Sequence, residues 1–144
     1  RNVTPLAGRG RVTAHPAKYV ILPELISKEP LATAVRQGDP QWKDLVYWTV
    51  MALIEAEDLG ITSKNVDEML KSDDPNVQRF LGVTPGNGQA LGVDEKWAYN
   101  IIKRIGNYAE IFDRNLGPST PMKLDRNLNK LYKQGGILYS PPCK

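Results

Sequence analysis

The 144 residues are 41% hydrophobic and 24% charged, which is typical of one ordinary globular domain and excludes a disordered chain. No apolar run approaches the roughly 18–20 residues that span a bilayer, so no membrane insertion is predicted. A net charge of +3 is too small to argue for a nucleic-acid partner, and the aromatic residues fall at core spacing rather than among basic ones. No nucleic-acid partner is therefore predicted.

Single cysteine and histidine residues limit the chemistry that the chain can perform. Cys143 has no second cysteine with which to form an internal disulfide, and His15 is the one histidine. We therefore predict no metal site and no cofactor. The opening RNVTPLAGRGRV lacks the apolar core of about 7–15 residues found in a signal peptide, so no signal peptide is predicted in this chain.

Two short apolar stretches near the start predict strands. Tyr19–Leu22 is uniformly apolar, as in a strand that is covered on both faces, and Pro23 ends it. Leu31–Arg36 is a shorter and weaker strand candidate. An apolar strand needs neighbours on both edges, so these two strands predict that further strands join them from elsewhere.

The clearest helix begins at Asp39-Pro40, where Asp39 can cap the first turn and proline suits the first helical position. It ends near Gly60, which can adopt a left-handed cap. Apolar residues cover more than one face of this helix, so we expect it to be buried on more than one side. They are Trp42, Leu45, Val46, Trp48, Met51, Ala52, Leu53, Ile54 and Ala56.

Shorter helices are predicted along the rest of the chain. Ser63 is the predicted cap of the next one, and Asp74-Pro75 opens another. The residue types of Thr84–Gln89 predict a turn. One apolar stripe then predicts a continuous helix after Asp94, with a bend at Gly106, and a final helix is predicted from Pro121 to Gly135. The fold class is therefore α/β and mostly helical, with two short strands followed by about five helices.

The residues do not assemble a catalytic site. Acidic pairs such as Asp67/Glu68 and Asp73/Asp74 fall on predicted exposed helix positions or at helix caps. The group Glu55/Glu57/Asp58 is interpreted in the same way. No set of nucleophile, base and orienting residue can be formed, so we predict that the chain is not an enzyme.

Several long stretches resemble the general polar amino-acid-binding proteins of ABC transporters, which are type II periplasmic substrate-binding proteins. They are YVILPELISKEPL, VRQGDPQWKDLVYWTVMALIEAEDLGITSKNVDEM, WAYNIIKRIGNYAEIFDRNLG and GGILYSPP. The resemblance is to the C-terminal part of the family and covers about residues 19–144. It implies a two-lobed fold, joined by crossing strands, in which an amino acid is trapped when the lobes close.

The resemblance implies a division of the chain into three segments. Residues 1–38 would form a strand and the crossing between lobes, and residues 39–82 would form the long helix and short helices that pack on lobe one. Residues 83–144 would be a C-terminal helical extension. The family's Asp-Arg-Ser ligand motif corresponds to NVTPLA here, which makes Asn2 and Thr4 the candidate ligand-binding residues.

Two functions remain open from the sequence. The first is a fragment or truncated homologue of an amino-acid-binding protein, periplasmic or secreted, that binds ligand poorly alone. Its implied partners are an amino acid in the full-length parent, the transporter permease, and either the missing N-terminal portion or another copy that associates through Tyr19–Leu22. The alternative is a freestanding protein-interaction module derived from that C-terminal region.

Overall fold

A computed structural model of the chain describes residues 32–142. This part is mostly helical, with six α-helices and two 3₁₀ helices. In chain order they are α1 (Pro40–Asp58), α2 (Val66–Met69), α3 (Pro75–Phe80), α4 (Asn87–Leu91), α5 (Trp97–Ile105), α6 (Tyr108–Asn115), η1 (Asn127–Asn129) and η2 (Tyr132–Gln134).

Helix α1 begins and ends where the sequence predicts. The Asp39 side chain accepts a hydrogen bond of 3.0 Å from the backbone N–H of Trp42, and Pro40 occupies the first turn. Gly60 has a φ of +69° just beyond the last turn, which a residue with a Cβ rarely adopts. Both ends of the longest helix are thus set by local sequence.

The second half of α1 is buried on two sides, as its composition predicts. Ala52 and Ala56 are fully buried in the core, whereas Ile54 is buried outside that core cluster. At about 100° per residue, Ile54 points about 160° away from Ala52. Two layers of the protein therefore pack against this half of the helix.

The core lies between α1 and the helices that follow it. Helix α1 contacts α4, α5 and α6, and α2 contacts α5. These contacts enclose buried side chains from α1, α2, α3 and α5 and from the connections between the helices. Besides the two alanines of α1, they are Ile61, Val66, Val77, Phe80, Leu81, Trp97, Ala98 and Ile102.

The second predicted strand does not form in the described part of the chain. Residues 32–36 of Leu31–Arg36 have no regular secondary structure, and most of their side chains are exposed. A strand exists only where a neighbour completes its hydrogen bonds, and none of the described residues pairs with this stretch. The first predicted strand, Tyr19–Leu22, lies outside the described residues.

One predicted helix start is wrong in detail, and the end of one predicted turn is helical. Asn65, not Ser63, precedes α2, because the Ser63 hydroxyl and backbone N–H are engaged by Glu110 instead. The stretch predicted as a turn at Thr84–Gln89 leads into α4. There the carboxylate of Glu95 accepts hydrogen bonds of 3.0 Å from three backbone N–H groups, at residues 86, 88 and 89. A side chain from the following loop thus satisfies the orphan donors of this short helix.

The continuous helix predicted after Asp94 is two helices, α5 and α6. Gly106 lies between them with a φ of +81°, and the backbone N–H of Asn107 begins a new capping box with Glu110. The predicted bend is therefore a complete break. The apolar stripe continues across the break because both helices pack against α1.

The final predicted helix is also wrong. The residues after Pro121 are irregular, apart from η1 and η2, and Lys123 and Asn127 both have a φ of +46°. Leu131 and Leu138 pair in an isolated parallel bridge. Tertiary contacts with α1, described below, replace the local helical hydrogen bonds here.

Within residues 32–142, none of the helices combines the length and apolarity required to cross a membrane.

Candidate functional site: the C-terminal loop and the surface of α1

The candidate ligand-binding residues Asn2 and Thr4 lie outside the described residues, so their assignment stays a prediction. The described part contributes two other features. One is the loop of residues 126–140, here called the C-terminal loop, which packs against the end of α1. The other is the exposed first half of α1.

Arg126 anchors the C-terminal loop to α1. Its guanidinium donates to both carboxylate oxygens of Glu57, with Nη1–Oε1 at 2.5 Å and Nη2–Oε2 at 2.9 Å. It also donates to the backbone carbonyl of Asn129 and lies over the rings of Tyr108 and Phe112. The arginine side chain is 13% exposed and the glutamate 8%. A buried bidentate pair of this kind fixes both position and orientation.

Backbone hydrogen bonds close the C-terminal loop on itself. The N–H groups of Ile137 and Leu138 donate to the carbonyls of Leu128 and Lys130, and the N–H of Gly136 donates to Leu131. A Cβ on Gly136 would lie 1.8 Å from the Lys130 carbonyl oxygen, so this close approach requires glycine. Leu131 is buried, and it holds the loop against the body of the protein.

The outer side of the same loop is apolar and exposed. Ile137 is 68% exposed, Tyr139 57%, Tyr132 50% and Leu128 39%. The backbone N–H of Ile137 donates to the Leu128 carbonyl. The rings of Tyr132 and Tyr139 meet edge to face with centroids 5.5 Å apart. These four residues are here called the loop surface. Side chains held in place on a closed loop lose little further entropy on binding, which suits a contact surface.

A second charged cluster joins the loop to the end of α1. Lys133 Nζ donates to Asp58 Oδ2 at 2.8 Å, and this contact is the main reason that the pKa of Lys133 is raised. The other oxygen of Asp58, Oδ1, is buried without a hydrogen-bond partner. Burial, followed by the nearby charge of Asp58, raises the pKa of Glu55. Ser140, which is buried, adjoins this carboxylate from the loop.

Glu110 is the third polar anchor and joins α6 to the start of α2. Its carboxylate accepts from the Ser63 hydroxyl at 2.6 Å, the Ser63 N–H at 3.0 Å and the Asn107 N–H at 2.9 Å. Burial alone would raise the pKa of Glu110, but the hydrogen bonds from Ser63 and Asn107 outweigh it and the pKa is lowered. The side-chain amide of Asn107, which is buried, donates to the Ile61 carbonyl at 2.9 Å.

The first half of α1 is exposed although it is strongly apolar. Trp42 is 52% exposed and Tyr47 is 44% exposed, whereas the second half of the helix is buried. Val46 and Val50 lie on the same side of the helix as Trp42 and are half-buried. The side chains thus form an apolar face that the described residues leave uncovered.

The sequence did not indicate the polar anchors. The acids near the end of α1 are predicted to be exposed, yet Glu55, Glu57 and Asp58 are partly buried, and the Glu57 side chain is 8% exposed. Their partners Arg126 and Lys133 are 69 and 75 residues away, a separation over which helical periodicity carries no signal. Elsewhere the prediction holds: Asp67 is exposed and pairs with Lys103 and Tyr99, and Asp74 caps α3.

Among residues 32–142, no group of three or more His, Cys, Asp or Glu side chains is arranged to hold a metal ion.

Two curated proteins with similar sequences are named as amino-acid-binding proteins. The general L-amino acid-binding periplasmic protein AapJ of Rhizobium johnstonii is 54% identical over 132 residues, which are 90% of this chain and 39% of the relative. The glutamate/glutamine/aspartate/asparagine-binding protein BztA of Rhodobacter capsulatus is 44% identical over 140 residues, which are 96% of this chain and 41% of the relative. The chain is homologous to the C-terminal part of the amino-acid-binding periplasmic proteins of ABC transporters.

A solved structure gives the same relationship. An ABC transporter periplasmic binding protein from Brucella ovis with glutathione bound is 48% identical and superposes with a TM-score of 0.90. The match covers 96% of this chain and 44% of that chain. The predicted resemblance and fold class, part of a two-lobed binding-protein fold, are confirmed. No family model matches the sequence.

The chain spans about 40% of the length of the curated relatives that it matches. It therefore corresponds to a part of such a binding protein, as the first hypothesis predicts. The relatives are named as binding proteins rather than enzymes, and AapJ is named as periplasmic.

Proposed function

We propose that this chain is part of a periplasmic protein that captures amino acids for uptake by an ABC transporter, with the transporter permease as its partner. The observation that carries the proposal is the 54% identity to AapJ over 90% of the chain. The division of labour follows the sequence prediction. Residues 1–38 form the crossing between lobes, residues 39–82 pack on lobe one, and residues 83–144 form the C-terminal extension.

The described residues act as scaffold in this proposal. Glu57 with Arg126, and Glu110 with Ser63 and Asn107, pair within the fold, whereas the candidate ligand-binding residues Asn2 and Thr4 precede the described part. The uncovered face of α1 around Trp42 and Tyr47 supports the packing of this helix on lobe one, since monomeric proteins rarely leave such apolar patches exposed. Ligand capture then requires the rest of the two-lobed protein, and the chain alone binds amino acids weakly and has no enzymatic role.

Calorimetry tests this proposal directly. The 144-residue chain is titrated with glutamate, aspartate, glutamine, arginine and glutathione, the last because it is bound in the similar Brucella ovis structure. We expect no saturable heat in the micromolar range. A parallel titration uses AapJ as the intact control, and a third uses AapJ in which this chain replaces the matching 39%.

The hybrid protein decides between the outcomes. Amino-acid binding by the hybrid, without binding by the isolated chain, supports the proposed role. Micromolar binding by the isolated chain contradicts the scaffold role. A folded hybrid that binds no amino acid, while AapJ binds normally, contradicts the assignment to amino-acid capture.

A second candidate function is a freestanding protein-interaction module, and the loop surface favours it. The exposed residues Ile137 and Tyr139 lie on a loop that is anchored by a buried ion pair, an arrangement suited to a contact surface. The sequence prediction places self-association instead at Tyr19–Leu22. Sedimentation velocity separates the two: an Ile137→Ser variant should dissociate an assembly built on the loop surface, and an Ile21→Lys variant one built on that strand.

A further inference from the structure

We propose that the bond between Asn87 and Gly88 is a site of spontaneous deamidation, which Glu95 protects in the folded protein. Asparagine followed by glycine occurs once in the sequence, so one position concentrates this reactivity. Glycine has no Cβ to shield its backbone nitrogen, and this leaves the nitrogen open to attack the preceding side chain. Asn87 is half-buried and Gly88 is buried, and both lie in the first turn of α4. The proposal does not depend on the function of the whole protein.

The reaction consumes one water and releases one ammonia. The Gly88 nitrogen loses its proton to solvent hydroxide and bonds to Cγ of Asn87, while the bond from Cγ to Nδ2 breaks and ammonia leaves. Water then opens the resulting cyclic imide at either of its two carbonyl carbons. One opening gives aspartate, and the other gives isoaspartate, in which the backbone runs through the side chain. No atom is oxidised or reduced.

Glu95 holds the attacking nitrogen in an unreactive state. Its Oε2 accepts a hydrogen bond of 3.0 Å from the N–H of Gly88, and this is the proton that must leave before the attack. The N–H groups of Gly86 and Gln89 donate to the same carboxylate, also at 3.0 Å. The pKa of Glu95 is lowered, chiefly by the hydrogen bond from Gly86, so the acceptor is negatively charged at neutral pH. A fixed negative charge next to the Gly88 nitrogen disfavours the second negative charge that deprotonation of this nitrogen creates.

The backbone of α4 adds a second barrier. Closing the imide ring requires the Gly88 nitrogen to eclipse Cβ of Asn87, a ψ far from the helical value of about −42°. Packing restricts this rotation, because a Cβ added to Gly88 would lie 2.5–2.7 Å from backbone atoms of Asp94 and Glu95. The Val93 N–H also donates to the Gly88 carbonyl at 3.0 Å. The attack therefore requires α4 to open, and the rate of deamidation follows the population of the open state.

The isoaspartyl product does not fit the folded site. It carries one extra methylene in the backbone immediately before Gly88, where the chain is already pressed against residues 94 and 95. It also adds a carboxylate next to Gly88, whose N–H binds the carboxylate of Glu95, and like charges repel. Helix α4, which contacts α1, should therefore stay open once the reaction has occurred.

Ageing of the whole 144-residue chain in mildly alkaline buffer, followed by mass spectrometry of its proteolytic peptides, tests the site and its protection. In the chain unfolded by urea, Asn87 should deamidate faster than any other asparagine. In the folded chain Asn87 should react about tenfold more slowly or less, since a hydrogen bond to a charged group alone shifts an opening equilibrium by about that factor. Equal rates in the folded and the unfolded chain overturn the protection. Faster deamidation of another asparagine in the unfolded chain overturns the site.

A matched pair of variants assigns the protection to Glu95. Glu95→Gln removes the charge and one of the two acceptor oxygens, so deamidation of Asn87 in the folded variant should accelerate by about tenfold. Glu68→Gln, at an exposed glutamate of α2, should react at the native rate. An unchanged rate in Glu95→Gln, or an equal acceleration in Glu68→Gln, contradicts the role of Glu95. Glu95→Asp, which shortens the reach to the three donors, takes the place of Glu95→Gln if that variant does not fold, and the same outcomes apply.

Hydrogen exchange of the purified isoaspartyl form tests the consequence for α4. The amides of Gln89 and Val93 are hydrogen-bonded in the native fold, and the amide of Gly106 at the end of α5 serves as an internal reference. Exchange at Gln89 and Val93 should be faster by about tenfold or more in the isoaspartyl form, with no change at Gly106. Native protection of Gln89 and Val93 in that form would contradict the inference that the product does not fit.

Discussion

Arg126 and Glu57 meet through two parallel hydrogen bonds of 2.5 and 2.9 Å and join the C-terminal loop to a helix 69 residues earlier in the chain. Both side chains are almost completely buried, and the guanidinium also donates to the backbone carbonyl of Asn129. The pair therefore fixes where the loop starts and how it lies across α1. This contact, rather than a helical pattern, determines the shape of the last part of the described chain.

Breaking this pair should strongly destabilise the protein. Glu57→Gln leaves the buried guanidinium without its counter-charge, and removal of one member of a buried pair costs about 3–5 kcal/mol. Urea unfolding followed by circular dichroism measures the change. The double variant Glu57→Leu with Arg126→Met should cost less than either single substitution, because no uncompensated charge is left buried. A single substitution that changes stability by less than about 1 kcal/mol would place the pair among weak surface contacts.

Glu110 should make the protein less stable in acid. Its pKa is lowered, so its contribution is fully present above about pH 4.5, the ordinary value, and is lost as the pH falls through the lowered pKa. Unfolding free energies measured between about pH 2.5 and 6 should fall more steeply in the native chain than in Glu110→Gln.

Ser63→Ala serves as a second variant for the Glu110 test. It removes the 2.6 Å hydroxyl hydrogen bond while the backbone donors from Ser63 and Asn107 remain. The acid-dependent loss of stability should therefore be smaller than in the native chain but larger than in Glu110→Gln. Identical pH profiles in all three proteins would contradict the role of this carboxylate.

Gly106→Ala should lower the stability of the protein more than Gly60→Ala, although both glycines have positive φ. A Cβ at Gly106 would lie 2.7 Å from Oε2 of Glu110 and disturb the capping box of α6, whereas a Cβ at Gly60 meets nothing within 4 Å. Gly106 also has a ψ of −178°, which places it in a backbone region that is essentially restricted to glycine, so strain and crowding both act against Gly106→Ala. Thermal unfolding should show the larger decrease for Gly106→Ala, and equal decreases would contradict this prediction.

The variants Leu131→Ala and Ile137→Ala should differ sharply in their loss of stability. The two positions are six residues apart on the C-terminal loop. Leu131 is 4% exposed, and truncation of a buried leucine costs about 2–5 kcal/mol. Ile137 points to solvent, so its truncation should change stability by no more than about 0.5 kcal/mol. Denaturant unfolding of the two variants measures both changes. A large loss for Ile137→Ala would show that its side chain is covered.

Local signals in the sequence predicted the helices that carry their own start and stop. The ends of α1 are set by Asp39, Pro40 and Gly60, and the start of α3 is set by Asp74 and Pro75. These residues act on backbone groups within one turn, so their effect can be predicted from the local sequence. The break at Gly106 carried a signal of the same kind, but the apolar stripe continued across it. Periodicity reports which side faces the core, not whether the backbone is continuous.

Other elements depended on residues far along the chain. The stretch 32–36 reads as a strand, but a strand requires a partner, and the described residues supply none. The final helix was predicted from its leucines, yet Arg126 and Lys133 draw that segment onto the acids of α1 instead. The candidate ligand residues Asn2 and Thr4 came from resemblance alone and stay a prediction.

The sequence by itself determined the long helix and its caps and indicated many of the apolar residues that make the core, because these depend on residue type and short spacing. The family came from the resemblance of long stretches to known proteins. Only the tertiary structure decided which acids are buried, where the C-terminal loop lies and which apolar side chains remain in solvent. Those outcomes depend on desolvation and pairing between segments about 70 residues apart. A local sequence pattern carries no information about this interaction energy, because the interaction forms only when the two segments are in contact.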